Sequence, residues 1–186
     1  MIRLIYIILF SFFIFGCSGK TSPVQINGEL KFGQYIITPP KNYWYFPRKY
    51  PANFRTSKDI FLLTFWEDKE DITRKDSNQI RNFFNLGVSA NKFNNYEDYY
   101  NSAKALGTTY RKLPDEARTL KTIQNWSCKQ TGEGIFGIEC ISLGDNLVTI
   151  GAYGNDKGLV LSKIPLLYNM LESFKFKKGK VGGVSP

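Results

Sequence analysis

Three cysteines and no histidine set the chemistry open to this chain of 186 residues. Without imidazole it lacks the usual general base near neutral pH and the commonest metal ligand. Thiols at Cys17, Cys128 and Cys140 remain, with carboxylates. Cys17 stands apart, because it follows Ile14-Phe15-Gly16 and an apolar run from Leu4 to Phe15 that is broken at Ser11. That run is shorter than the roughly 17–20 residues of a membrane-crossing helix. It also has no polar face, so it does not fit an amphipathic core helix. It suits an export-signal core of about 7–15 residues, with Arg3 as a weakly basic start. Ile14-Phe15-Gly16-Cys17 then reads as a lipobox, where a bacterial lipoprotein precursor is acylated at the cysteine and cut before it, although Phe15 is bulky for its place. Residues 1–16 are therefore expected to be a signal peptide and Cys17 the lipid-bearing first residue. Ordinary secretion or an uncleaved anchor would export the domain equally. Ser18 in place of Asp resembles a signal for outer-membrane sorting. The expected place is the bacterial cell envelope, at the outer membrane in preference to the inner, with the domain in the periplasm or at the surface.

With Cys17 assigned to lipid, Cys128 and Cys140 are left as a pair in an oxidising compartment. Leu120 to Gln130 reads as a strand anchored by Trp126, Thr131-Gly132-Glu133-Gly134 as a turn, and Ile135 to Ser142 as the returning strand. The turn lies midway between the cysteines, so the hairpin brings them opposite each other and a disulfide is expected. Two buried free thiols are the alternative. Gly144-Asp145-Asn146 makes a second turn and Leu147 to Tyr153 a third strand, giving a meander.

Carboxylate pairs could still cleave glycosides. Asp68 with Glu70, and Asp115 with Glu116, fall in polar stretches expected to be loops, where a raised pKa is not expected. The acidic run Glu67-Asp68-Lys69-Glu70-Asp71 lacks the glycine of a calcium loop and is interrupted by Lys69. Gly19-Lys20-Thr21 resembles the end of a phosphate-binding loop, but Ile14 stands where the first glycine is required. The expectation is a protein without metal, cofactor or catalytic residues. One other stretch could bind: Tyr43-Trp44-Tyr45-Phe46, followed by Arg48 and Lys49. Four successive rings cannot all face inward from a strand. Tyr43, Trp44 and Tyr45 with Arg48 and Lys49 would suit a sugar, lipid or protein contact; alternatively both sheet faces are covered and the rings are core.

Removing residues 1–16 takes away one charged residue, Arg3, and lowers the formal charge from +9 to +8. Such a balance suits anionic partners or solubility alone. No nucleic-acid motif is present. Residues 17–28 read as a lipidated tether, 29–176 as one α+β domain, and 177–186 as a basic flexible tail that could touch anionic headgroups or simply be solvated. Within the domain, Leu30, Phe32 and then Tyr35-Ile36-Ile37 read as a strand pair or as one bent strand broken at Gly33. Asp59 to Trp66 reads as a strand buried on both faces, and Phe84, Leu86, Val88 and Ala90 as one face of another. Asn94 or Asn95 caps a helix whose stripe is Tyr96, Tyr99, Tyr100 and Ala103, extended by Leu106 and ended by Gly107. A last helix starts at Asn155 or at Ser162, with Ile164, Leu167, Tyr168, Leu171 and Phe174 inward. Pro165 would kink it in the first case only.

Ile36-Ile37-Thr-Pro-Pro-Lys-Asn-Tyr-Trp44 resembles the opening of PsbP-like domains, and Leu171-Glu-Ser-Phe-Lys-Phe176 their closing helix and strand. With the lipobox, the chain resembles the PsbP-like and DcrB-like bacterial envelope lipoproteins. That resemblance implies an antiparallel sheet with helices packed on its faces, a PsbP-like three-layer sandwich, and a non-catalytic accessory or assembly role. It carries over no site residue, and the Cys128–Cys140 hairpin is not part of it. The expected function is thus a non-enzymatic, lipid-anchored binding or assembly module, whose partner is another envelope protein or an anionic envelope polymer. An inhibitor or immunity lipoprotein against an envelope-targeting enzyme is the alternative.

Overall fold

The structure, a computed structural model, describes residues 22–32, 35–46, 61–73, 82–132 and 135–176. It is an α+β fold built on a large open antiparallel sheet. The strands are β1 (Val24–Gln25), β2 (Leu30–Phe32), β3 (Tyr35–Ile37), β4 (Trp44–Tyr45), β5 (Phe61–Trp66), β6 (Asn82–Ala90), β7 (Tyr110–Arg111), β8 (Ser127–Thr131), β9 (Phe136–Leu143), β10 (Asn146–Gly154) and β11 (Lys175–Phe176). The helices are α1 (Tyr96–Ala105), α2 (Lys157–Ser162) and α3 (Ile164–Ser173), with 3-10 helices at Lys69–Thr73 and Asp115–Thr122. Eight strands form the large sheet in the order β1-β4-β5-β6-β10-β9-β8-β7, and β11-β3-β2 form a small one.

Side-chain alternation divides the large sheet into two faces. Leu63 and Phe65, Phe84, Leu86 and Val88, Ile138 and Cys140, and Val148, Ile150 and Ala152 share one face and one core. Against it α3 buries Ile164, Leu167, Met170 and Leu171, an apolar stripe at helical spacing. Each such side chain, fully buried, contributes about 1.5–3 kcal/mol. Ala117 and Leu120 of the second 3-10 helix close the same core. The opposite face carries a smaller cluster, in which Tyr100 of α1 packs on Ile141 and Leu147. One cross-strand row on that face runs Trp44, Trp66, Phe83, Tyr153, Gly137, Thr131, Tyr110, one residue from each of seven adjacent strands.

Much of the expected order is present. Asn95 caps α1 by accepting from the Asp98 amide (2.9 Å), and Gly107 follows the helix at φ 91°, where a side chain would be strained. Strands β8, β9 and β10 form the expected meander. Register places Cys128 directly opposite Cys140, with Cα atoms 4.0 Å apart and sulfurs at disulfide distance, 2.00 Å.

Five expectations need correction. A strand lies ahead of Glu29, within the expected tether: β1 pairs with β4, and Ile26 is buried, its amide and carbonyl bonded to Tyr43 and Asn42. The β5 strand is not covered on both faces, since Leu62 is 52% exposed; Asp59 and Ile60 lie outside the described residues. Leu106 is 84% exposed, because the helical stripe ends with α1 one residue earlier. The strand expected from Leu120 starts only at Ser127: Pro114 precedes a 3-10 helix in which Ala117 and Leu120, three residues apart, turn inward. The expected last helix is two helices, each with its N-cap position one residue after an expected start, Asn155 or Ser162. Asp156 caps α2 by accepting from the Leu159 amide (2.7 Å), the chain breaks at Lys163, and Pro165 opens α3 in its first turn. Ser162 is not the cap, because its hydroxyl donates back to Leu159.

A cross-link spanning a separation of 12 residues should contribute about 3 kcal/mol through the unfolded chain. Urea unfolding of the full chain, with and without reductant, should show a loss of about that size. An unchanged midpoint, with both Cys128 and Cys140 alkylated in the untreated protein, would show that the sulfurs are not bonded.

Candidate functional site

The most connected polar centre lies on the α1 side of the sheet, at Glu139 of β9. Its Oε1 accepts from the phenols of Tyr99 in α1 (3.0 Å) and Tyr110 in β7 (2.5 Å), and its Oε2 from Tyr153 in β10 (2.6 Å). Two glycines make the last contact possible. Register sets Gly137 opposite Tyr153 and Gly151 opposite Glu139. The Tyr153 ring lies down over both glycines: a Cβ on Gly137 would meet it at 2.5 Å, and one on Gly151 at 2.6 Å. A side chain at either place would block the ring from the carboxylate. Beside this centre, Tyr100 bonds to the Ser127 hydroxyl (2.9 Å) and Lys129 stands 3.6 Å over its ring. Burial, then the Glu139 carboxylate, push the phenols of Tyr99, Tyr110 and Tyr153 far up, and burial raises Tyr100 to about 12. These phenols are donors fixed in their neutral form.

A second carboxylate, Glu67, accepts from Lys163 (2.7 Å) and from the Asn82 amide (3.0 Å). Burial opposes its charge, but the bonds from Lys163 and Asn82 and the Lys163 charge outweigh that and hold it below the usual range. A carboxyl so placed is a poor proton donor near neutral pH. The carboxylates singled out from sequence, Asp68, Glu70, Asp115 and Glu116, are exposed and sit at or in the two 3-10 helices, not in loops. Asp68 accepts from the Glu70 amide (2.9 Å), and Asp115 pairs with Arg118 at 3.6 Å. Among the described residues no group of three or more His, Cys, Asp or Glu side chains is placed to hold a metal ion.

The open concavity is elsewhere, where the small sheet and α3 meet the β9–β10 turn. Phe174 stands between Tyr35, stacked on it at 5.7 Å, and Trp126, edge-on at 5.9 Å. A hollow of about 200 Å³ lies on the Tyr35 side, lined also by Val148, Asp145 and Asn146. Another of about 540 Å³ lies on the Trp126 side, with Gln124, Asn125, Tyr168 and Glu172. Ser142, Phe174 and Phe176 line both. The amide of Asn146 reaches the Tyr35 hydroxyl (2.5 Å) and ties the small sheet to the turn. Asn125 takes the left-handed conformation (φ 64°), which asparagine tolerates, and the Tyr96 hydroxyl holds its carbonyl (3.1 Å).

The residues singled out from sequence are not brought together here. Cys17, Arg48 and Lys49 lie outside the described residues. Tyr43 is buried on Phe84 and Tyr45 turns toward Phe65, both on the core face. Trp44 lies on the opposite face beneath Lys69, whose ammonium is 5.0 Å from the ring centre. Alternation thus splits the run, and buried Tyr43 offers nothing to a partner. Cys128 and Cys140 face the core, away from Glu139 and its phenols. The two centres that matter were missed: the Glu139 cluster draws on four elements, and the cleft on segments from Tyr35 to Phe176. The signal available for the first was Gly137 and Gly151 flanking strand positions that also carry Glu139 and Tyr153.

No known protein-family model matches this chain, and no curated protein matches it either.

Two outcomes follow from the Glu139 centre. The unfolded chain ionises its phenols near pH 10, whereas the folded chain keeps Tyr99, Tyr110 and Tyr153 neutral well above that. Their contribution to stability is complete below pH 10 and is lost as pH rises through the folded-state values. Spectrophotometric titration should show these phenols ionising together with unfolding, not before it. Separately, Gly151→Ala should cost about 1–3 kcal/mol by overpacking. In a Tyr153→Ala background the same change should cost far less, a non-additivity read by urea unfolding of all four variants.

Proposed function

We propose that this chain is a non-enzymatic, lipid-anchored binding or assembly module of the bacterial cell envelope, tethered through Cys17. The observation that carries the binding role is a contrast between its polar centres. Glu139 and Glu67 each have both oxygens engaged by the protein's own donors, whereas the cleft around Phe174 gathers rings and hydrogen-bonding groups around open space. Saturated carboxylates suit structure, and a preformed concave site suits a ligand. Anchoring is supported by the motif Ile14-Phe15-Gly16-Cys17 and by the nearness of β1, at Val24, to that cysteine in the chain. Val24 lies seven positions after Cys17, and a chain of that length spans at most about 25 Å. The domain would then work close to the lipid. The finer PsbP-like three-layer arrangement belongs to the same proposal. Packing of Tyr100 on one sheet face and of Leu167 on the other supports it.

Expression in a bacterium should place the full chain in the membrane fraction, with a mature mass carrying acyl groups on Cys17. Cys17→Ala should leave an unacylated chain that no longer partitions with membranes. Recovery of wild type as a soluble, unacylated protein would overturn the anchor.

A further inference from the structure

We infer that the cleft divided by Phe174 is a saccharide-binding site, taking a short stretch of a neutral glycan chain. The inference rests on the binding-module reading and names its ligand class. The first ground is charge. The chain is strongly basic, yet no lysine or arginine lines either hollow among the described residues, while Asp145 lines one and Glu172 the other. Among the described lining residues a phosphate, sulfate or polyanion would find no counter-charge and would face two carboxylates. The second ground is the mixture of surfaces. Phe174 and Phe176 run between the hollows, with Tyr35 at one end and Trp126 and Tyr168 at the other. Between these rings stand the amides of Gln124, Asn125 and Asn146 and the hydroxyl of Ser142. An acyl chain would cover such groups without bonding to them, which is costly. A sugar ring meets both kinds of surface: its C–H face packs on an aromatic ring, and its rim hydroxyls donate to carboxylates and accept from amides.

The third ground is rigidity. Phe174 is held on one side by Tyr35 and on the other by Trp126, and Tyr35 is itself bonded by Asn146. The left-handed backbone at Asn125 sets Gln124, Asn125 and Trp126 along one wall, and the Tyr96 hydroxyl secures that turn from α1. Little ordering is left for the ligand to impose, which favours a weakly interacting, hydrated ligand such as a glycan. The smaller hollow is the size of a single ring and the larger leaves room for the residues flanking it.

The test is isothermal titration calorimetry of the full-length chain in detergent with chitotetraose, cellotetraose and maltotetraose. A sulfated oligosaccharide and a lysine-rich peptide serve as charged comparators. At least one neutral tetrasaccharide should bind saturably. Trp126→Ala, Tyr168→Ala and Glu172→Gln should each weaken it about tenfold or more, with the folded state checked by circular dichroism. Trp44→Ala, on the other sheet face, should leave binding unchanged. Tyr168 and Glu172 are only partly covered or exposed, so those variants remain informative even where Trp126→Ala fails to fold. Three results would overturn the assignment: no neutral tetrasaccharide binding to a folded chain, preference for the sulfated sugar or the peptide, or full affinity in both Tyr168→Ala and Glu172→Gln. Membrane partition is scored separately. A membrane-bound chain that binds no tetrasaccharide refutes the ligand and leaves the anchor standing. A soluble chain that binds one refutes the anchor and leaves the ligand standing.

Discussion

The pairing of β10 with both β6 and β9 is the constraint on which the rest hangs. From Leu147 to Gly154 the strand is paired on both edges, and both of its faces are committed. Val148, Ile150 and Ala152 supply the α3-side core, while Leu147, Gly151 and Tyr153 build the α1 side. Slipping β10 by one residue against its partners would exchange these two sets and turn Val148, Ile150 and Ala152 away from the larger core. It would also separate Tyr153 from Gly137 and Gly151 from Glu139. Register, core and polar centre are therefore one condition seen from three directions.

Chemistry on the α1 face is shaped by what that face lacks. Gly137 and Gly151 remove side chains where an aromatic ring must lie flat, and Glu139 then collects three phenols. Carboxylates in such surroundings are often read as reactive. Here the phenols are driven toward neutrality by burial and by the carboxylate itself, so the cluster stores no ready proton. It joins α1, β7 and β10 to the centre of β9. Glu67 does the same between β5, β6 and the break before α3, through Asn82 and Lys163.

How far these features were legible in the sequence depended on whether their signal was local. The alternation of Phe84, Leu86 and Val88, the Tyr96-Tyr99-Tyr100 stripe with its Asn95 cap, and the symmetric placing of Cys128 and Cys140 about a Gly-rich turn are all read within a dozen residues, and each has its expected counterpart in the fold. The 3-10 helix Asp115–Thr122 is hidden because only two of its residues, Ala117 and Leu120, turn inward, too few to set a period in the sequence. Both polar centres and the cleft were invisible because they are tertiary. Tyr35 and Asn146 touch across a separation of 111 positions, and Glu67 and Lys163 across 96. The run Tyr43–Phe46 drew attention by composition, yet alternation scatters its rings over two faces.

The ends of both sheets are short. The large sheet finishes in β1 and β7, of two residues each, and the small one in β2 and β11, of three and two. A bare strand edge is a template on which another chain can add a strand. Strands this short carry few amides and carbonyls of their own, but among the described residues they also leave strand length uncovered behind them: β4 meets β5 only at Trp66, and β7 meets β8 only at Gln130 and Thr131.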